Sequence, residues 1–151
     1  QSWWEAEVDQ QWRDVREEGM KILQEDDKLQ RIIKLIGEDA LPERQRLVVA
    51  TARLLKNSFL QQNAFDETDT YSVPEKQVLM LKTILHFYQR AREIINPHLP
   101  LYKFLELPVV NEIQRMKEYI SNHDTKPFEL LSERIDIQMR ELEKESMEVA
   151  V

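Results

Sequence analysis

The stretch "LQRIIKLIGEDALPERQRLVV" (residues 29–49) sets two helical apolar patterns on either side of a short acidic connection. Upstream, Leu29, Ile32, Ile33 and Ile36 recur at i, i+3, i+4 and i+7, the spacing of one helix face. Gly37 then reads as a left-handed stop. Downstream, Pro42 suits a first-turn position, and Leu47, Ala50, Thr51, Leu54, Leu55 and Phe59 form the next stripe. Two apolar helical patterns are thus joined by a short acidic connection. They leave a question: whether residues 37–43 are merely a turn, or a surface that the pair holds out.

The pattern extends outward in both directions. Ser72-Val73-Pro74-Glu75 reads as an N-cap with its Glu three residues on. The helix it opens is apolar on two flanks, with Met80, Ile84, Phe87, Ala91 and Ile94 on one and Leu81, Leu85 and Tyr88 on the other. So wide a stripe predicts the central helix of a bundle. Asn96-Pro97-His98-Leu99-Pro100 ends it, because each proline disfavours helix in the residue before. A short turn around residues 101–105 follows. Pro108 opens a helix with Val109, Ile113, Met116 and Ile120 inward. After a break at residues 122–127, Phe128, Leu131, Ile135, Met139 and Leu142 mark a last helix, mostly charged by residues 143–148. Towards the start, Trp12, Val15, Ile22 and Leu23 predict a helix over about residues 5–24, weakened by Gly19. With Gly and Pro scarce and strand-like alternation absent, the fold class is all-α, a helical bundle of about five to six helices.

Composition bounds the chemistry. The chain has 151 residues, enough for one domain, with 42% hydrophobic and 32% charged residues. A net charge of -7 argues against nucleic acid, which requires a concentrated basic face. There is no cysteine, so disulfides, zinc-thiolate sites and thiol nucleophiles are excluded. No apolar run approaches the roughly 20 residues of a membrane span, so direct membrane insertion is not expected. Gly19 and Gly37, the two glycines, cannot build a G-x-x-x-x-G-K-[ST] phosphate loop. His86, His98 and His123 are dispersed, without metal-ligand spacing. The runs Glu25-Asp26-Asp27 and residues 141–148, interleaved with Lys and Arg, read as solvated faces. Nothing here predicts catalysis by the isolated chain.

The segment "SFLQQNAFDETDTYS" (residues 58–72) departs from helix-bundle logic. Phe65 and Tyr71 lie outside the helical stripes, among amides and acids. Two readings stand: an aromatic anchor folded onto the bundle, or a partly exposed aromatic surface that stacks on a flat ligand.

The longer string "FLQQNAFDETDTYSVPEKQVLMLKTILHFY" resembles the C-terminal domain of the catalytic A subunit of V-type and archaeal-type rotary ATPases/ATP synthases. So does "WRDVREEGMKILQEDDKLQRIIKLIGEDALPERQRL" upstream. The resemblance is dense over residues 12–95 and thins over the last third. Ser72 stands where the family commonly has Cys, a substitution suited to a helix N-cap. The resemblance implies a single C-terminal helical domain over residues 1–151, with residues 1–25 as a link to a P-loop nucleotide-binding domain upstream. The absence of an initiating Met agrees with a fragment. The tandem Trp3-Trp4 and Trp12 would then pack either on that upstream part or in this domain's own core.

The resemblance also implies a function: an ion-translocating rotary ATPase. ATP or ADP with magnesium would be bound by the parent subunit, with none held tightly by this chain. Residues 59–65 are similar to the family segment that closes over adenine. Phe65 would be the stacking aromatic, with Ala64 beside it, Gln62 and Asn63 as polar neighbours, and Tyr71 as a further aromatic. Residues 29–47 also resemble the F-type β-subunit segment whose acidic Asp-Glu-Leu-Ser-Glu-Glu-Asp lever touches the central stalk. Asp39, Leu41 and Glu43 coincide with lever positions, while Ala40, Pro42, Arg44 and Gln45 replace the others. The implied stalk contact is Gly37, Glu38, Asp39, Ala40, Leu41, Pro42 and Glu43. Arg44 and Arg46 bring its charge close to neutral, so the expectation is a push through shape rather than an electrostatic grip. Implied partners are the upstream domain, the central-stalk subunits and the non-catalytic B subunit. The location would be the cytoplasmic head, peripheral to the membrane. The alternative is a stand-alone helical protein–protein interaction module with no nucleotide role.

Overall fold

Apolar faces at helical spacing can be buried only by stacking helices on one another, and the computed structural model has this architecture. It describes residues 3–60, 74–121 and 123–149. Among these are six α-helices and no strand: α1 (Trp3–Ile36), α2 (Glu43–Leu55), α3 (Pro74–Ile94), α4 (Leu101–Leu105), α5 (Pro108–Tyr119) and α6 (Lys126–Val149). A 3-10 turn (Glu38–Ala40) joins α1 to α2, and α2 runs on into a π-turn (Lys56–Leu60). The helix-cap reading at Ser72 lies outside the described residues.

The first helix is a correction to the sequence reading. Instead of a helix over about 5–24 and another from Leu29, α1 is one continuous helix of 34 residues. Gly19 does not break it, because the position is buried against α3: a Cβ there would sit 3.4 Å from Leu81 Cδ1. Along α1, Trp12, Val15, Gly19, Ile22, Asp26, Leu29 and Ile33 follow one another at alternating steps of three and four. All are buried or half-buried. That is the narrow seam of a helix lying along its neighbours. Trp12 packs on this domain's own core. Asp26 is a second correction. It is 1% exposed rather than solvated, because it occupies a seam position.

The centre is α2 and α3. From Leu47 to Leu55 every residue of α2 except Arg53 is buried, a wider burial than the predicted stripe. Helix α3 buries both predicted flanks, with Ile94 and Tyr88 half-buried. It packs against α1, α2, α5 and α6. Hydroxyls inside the two helices bond their own backbones: Thr51 Oγ1 donates to Leu47 O (2.8 Å) and Thr83 Oγ1 to Leu79 O (2.7 Å). The predicted inward residues of α5 and α6 are all buried.

Helix ends are satisfied by side chains from elsewhere in the chain. Gln138 of α6 accepts from Val109 N–H (2.9 Å) at the start of α5. At the other end, buried Lys76 donates to Lys117 O (3.0 Å) and Ile120 O (2.7 Å). An ammonium on the last carbonyls answers both their unmet acceptors and the negative end of the dipole. Asn96 Oδ1 accepts from His98 and Leu99 N–H (2.8 and 3.1 Å), fixing the corner before α4.

The two glycines respond oppositely to a methyl group. Gly37 has φ 89° and ψ 156°, an extended positive-φ conformation essentially restricted to glycine, rather than the left-handed helical one expected. Nothing lies within 4 Å of a Cβ there, so the penalty for alanine is backbone strain alone. Gly37→Ala should cost about 1–3 kcal/mol. Gly19→Ala, in ordinary contact with Leu81 and inside a helix, should instead stabilise by up to about 1 kcal/mol. Denaturant unfolding of the two variants reads both signs.

Candidate functional site

The connection between α1 and α2 forms a closed tip. Gly37 N–H donates to Ile33 O (2.8 Å), ending α1, and Leu41 N–H donates to Glu38 O (3.0 Å), closing the 3-10 turn. Pro42 stands one residue before α2, as its N-cap. Its carbonyl accepts from Gln45 and Arg46 N–H, both at 3.0 Å. Leu41 is 6% exposed and anchors the turn in the core.

The structure divides the seven tip residues inferred from sequence. Gly37, Asp39, Ala40 and Pro42 face outward, Glu38 is half-buried, and Leu41 is buried. Glu43 is engaged within the domain. One carboxylate oxygen pairs with Arg46 Nη1 (3.1 Å), and the other accepts from Leu101 N–H (2.7 Å) at the start of α4. Glu43 therefore ties the foot of α2 to α4. Glu43→Ala strands the Leu101 amide and the Arg46 guanidinium, so it should destabilise by about 1–3 kcal/mol. Urea unfolding measures the loss, and Glu43→Gln, which keeps an acceptor, should recover part of it.

The tip also has an apolar component that the sequence reading assigned inward. The stripe Leu29, Ile32, Ile33, Ile36 is only half covered: Leu29 and Ile33 join the core, while Ile32 is 39% and Ile36 65% exposed. Leu35 beside them is 84% exposed. A narrow seam covers two residues per heptad, not four. The signal was in the sequence for two of them, since the three-four spacing running through Leu29 and Ile33 excludes Ile32 and Leu35; Ile36 falls in register but lies in the last turn of α1, past the cover of the core. Clustered large apolar side chains on a projecting end mark a contact surface.

Phe65, Ala64, Gln62 and Asn63, and also Tyr71, lie outside the described residues. What flanks them is described. Thirteen residues of α2, about 20 Å of helix, separate the tip from the π-turn, where Ser58 is buried and Phe59 packs on the core. The tip and the aromatic segment therefore leave opposite ends of the α1–α2 hairpin.

Other surfaces carry less chemistry. A groove of about 540 Å³ between α1, α3 and α6 is lined by Val15, Leu79, Lys82, His86 and Phe128, among others. Several of its polar side chains are engaged: Lys82 donates to Gln11 (2.8 Å), Gln89 to Glu18 (2.9 Å), and His86 Nε2 lies 2.8 Å from Asp136. On the far side, burial and the nearby Glu112 carboxylate raise the Tyr119 phenol above its ordinary range, against the opposing pull of Arg134 and Arg115. No group of three or more His, Cys, Asp or Glu side chains placed to hold a metal ion occurs among the described residues. No helix among them is long and apolar enough to cross a membrane.

An all-α domain led by a long helical hairpin with a projecting tip is the class these features define. Comparison supplies the family: residues 1–105 match the C-terminal domain of V and A type ATP synthase, and the chain belongs to that family. It is 44% identical over 146 residues to the A subunit of the Methanopyrus kandleri A-type ATP synthase, covering 97% of this chain and 25% of that protein. To the A subunit of the Pyrococcus horikoshii A-type ATP synthase it is 42% identical over 142 residues, covering 94% of this chain and 14% of that protein. To the V-type ATP synthase alpha chain of Halothermothrix orenii it is 42% identical over 134 residues, 89% of this chain and 23% of that one. The chain thus spans a quarter or less of the length of these relatives. The likeness extends through the last third, where the sequence motifs thin out.

Proposed function

We propose that this domain couples nucleotide occupancy to rotation in a rotary ATP synthase. Phe65, with Ala64, Gln62 and Asn63, contacts the adenine of a nucleotide whose phosphates and magnesium are held by residues outside this chain. The hairpin tip presses on the central stalk. The observation that carries this reading is the exposed apolar cluster of Ile32, Leu35 and Ile36 beside Glu38, Asp39 and Ala40. It sits at the end of a hairpin whose other end launches the aromatic segment. Family membership supports a place in such an assembly, beside a nucleotide-binding domain and the B and stalk subunits, in the cytoplasmic head.

The mechanism requires only a rigid body. Nucleotide binding draws residues 61–65 towards the adenine, α2 and α1 move together because they share a core, and the tip is displaced. Packed helices transmit such shifts without deforming.

Two measurements test it. These 151 residues contain no cysteine, so a cysteine placed at Leu35, Asp39 or Ala40 is the one this domain offers, and in the assembled complex it should crosslink to the central stalk. Absence of a crosslink at all three removes the lever. Phe65→Ala should weaken nucleotide binding by about 1–3 kcal/mol, the size of one aromatic–base stack, with helix content unchanged by circular dichroism. Unaltered affinity sinks the adenine assignment.

A further inference from the structure

Among the described side chains in the seam of α1, Asp26 is the one acid, flanked at four and three residues by Ile22 and Leu29, both in the core. Its side chain is 2% exposed, and both of its oxygens are engaged. Lys56 Nζ donates to Oδ2 at 2.8 Å, and Gln30 Nε2 to Oδ1 at 3.1 Å. Asp26 is enclosed while the Lys56 side chain is 43% exposed, and an ion pair with one partner open to solvent contributes little net stability over apolar side chains of similar volume. Its best-attested use is to fix the register of one helix against another.

The position of Lys56 says which register. It is the first residue of the π-turn, where α2 ends and the chain departs towards the aromatic segment. Single π-turns within helices occur frequently at functional sites. Helices α1 and α2 are covalently joined only at the tip, so shear between them is largest at the opposite end, where Asp26 and Lys56 meet. A slip of one residue would shift α1 by about 1.5 Å and rotate Asp26 by about 100°, to the exposed side now held by Glu25 or Asp27 and away from Lys56.

We infer that Asp26 and Lys56 form a positioning latch that locks the tip helix to the π-turn, so that displacement at the nucleotide-side segment reaches the tip undiminished. From Asp26 the helix runs eleven residues, about 16 Å, to Gly37. The latch rests on the coupling function proposed above. It adds the residues through which the two ends of the hairpin act as one body.

The test uses the assembled rotary complex with a reporter cysteine at Asp39, comparing its crosslinking rate to the stalk with and without ATP. In Asp26→Leu/Lys56→Met the pair is replaced by apolar side chains. Melting temperature, helix content and nucleotide affinity should stay near those of the native pair. The ATP-dependent change in crosslinking should shrink on the order of tenfold, a typical coupling between two sites. Lys56→Arg, which keeps the pair, should retain the full change. A well-folded double variant with the full change overturns the latch, because a merely structural pair is all that would remain. If the double variant does not fold, Asp26→Asn decides. It keeps shape and the Gln30 contact but loses the charge, and an undiminished change overturns the latch, while a reduced one supports it. No crosslink even with the native pair overturns the lever itself, and the latch with it.

Discussion

Helix α2 cannot stand at a surface: from Leu47 to Leu55 it hides every residue but Arg53. A helix apolar on all sides must be enclosed, and α1 and α3 pack against it while α4 closes on its foot. Each fully buried Leu or Val is worth about 1.5–3 kcal/mol, so splaying the hairpin would expose most of the core's centre. This enclosure decides which parts of the domain can be surface. Helix α1 is covered along its seam, but its last turn leaves Leu35 and Ile36 open. The projecting tip is thus a consequence of the enclosed helix.

The bundle was legible because the helical period held over most of the chain. Pro108, the inward set from Val109 to Ile120, and the set from Phe128 to Leu142 predicted α5 and α6 and their buried faces. What failed was local chemistry taken without its register. Gly19 reads as a weakness until α3 is seen packed on it. Asp26 reads as one of three acids in a solvated run, although its spacing from Ile22 and Leu29 places it in the seam. Leu29, Ile32, Ile33 and Ile36 read as one helix face, but the narrow seam leaves Ile32 aside, and Ile36, though in register, lies in the last turn past the cover of the core. Glu43 matched a lever position by resemblance, and only tertiary contact shows that Leu101 and Arg46 hold it.

Contacts at a distance recur in how the helix ends are met. Gln138 serves the start of α5, Lys76 its end, and Glu43 the start of α4. In each case the partner lies on a helix distant in sequence, so a shift of one helix would strand a polar group on another. Unmet buried donors and acceptors cost about 1–3 kcal/mol each. Small relative motions are therefore resisted at several points, beyond what apolar packing supplies. A domain held in this way moves as a body, and that is the property a lever needs.

The same contacts bear on whether the tip would act through charge or through shape. The sequence places Glu38, Asp39 and Glu43 against Arg44 and Arg46, a near balance. In the fold, Glu43 and Arg46 pair with each other and are both half-buried, so each offers less charge to a partner. Glu38 and Asp39 remain outward or half-buried against an exposed Arg44. An exposed ion pair with a partner contributes about 0–1 kcal/mol and is screened by salt. Covering Leu35 and Ile36 contributes about 1.5–3 kcal/mol each. Apolar burial, which salt does not screen, therefore outweighs charge, so a partner that fits this tip does so with a hydrophobic groove. The acids of the tip then set orientation rather than strength.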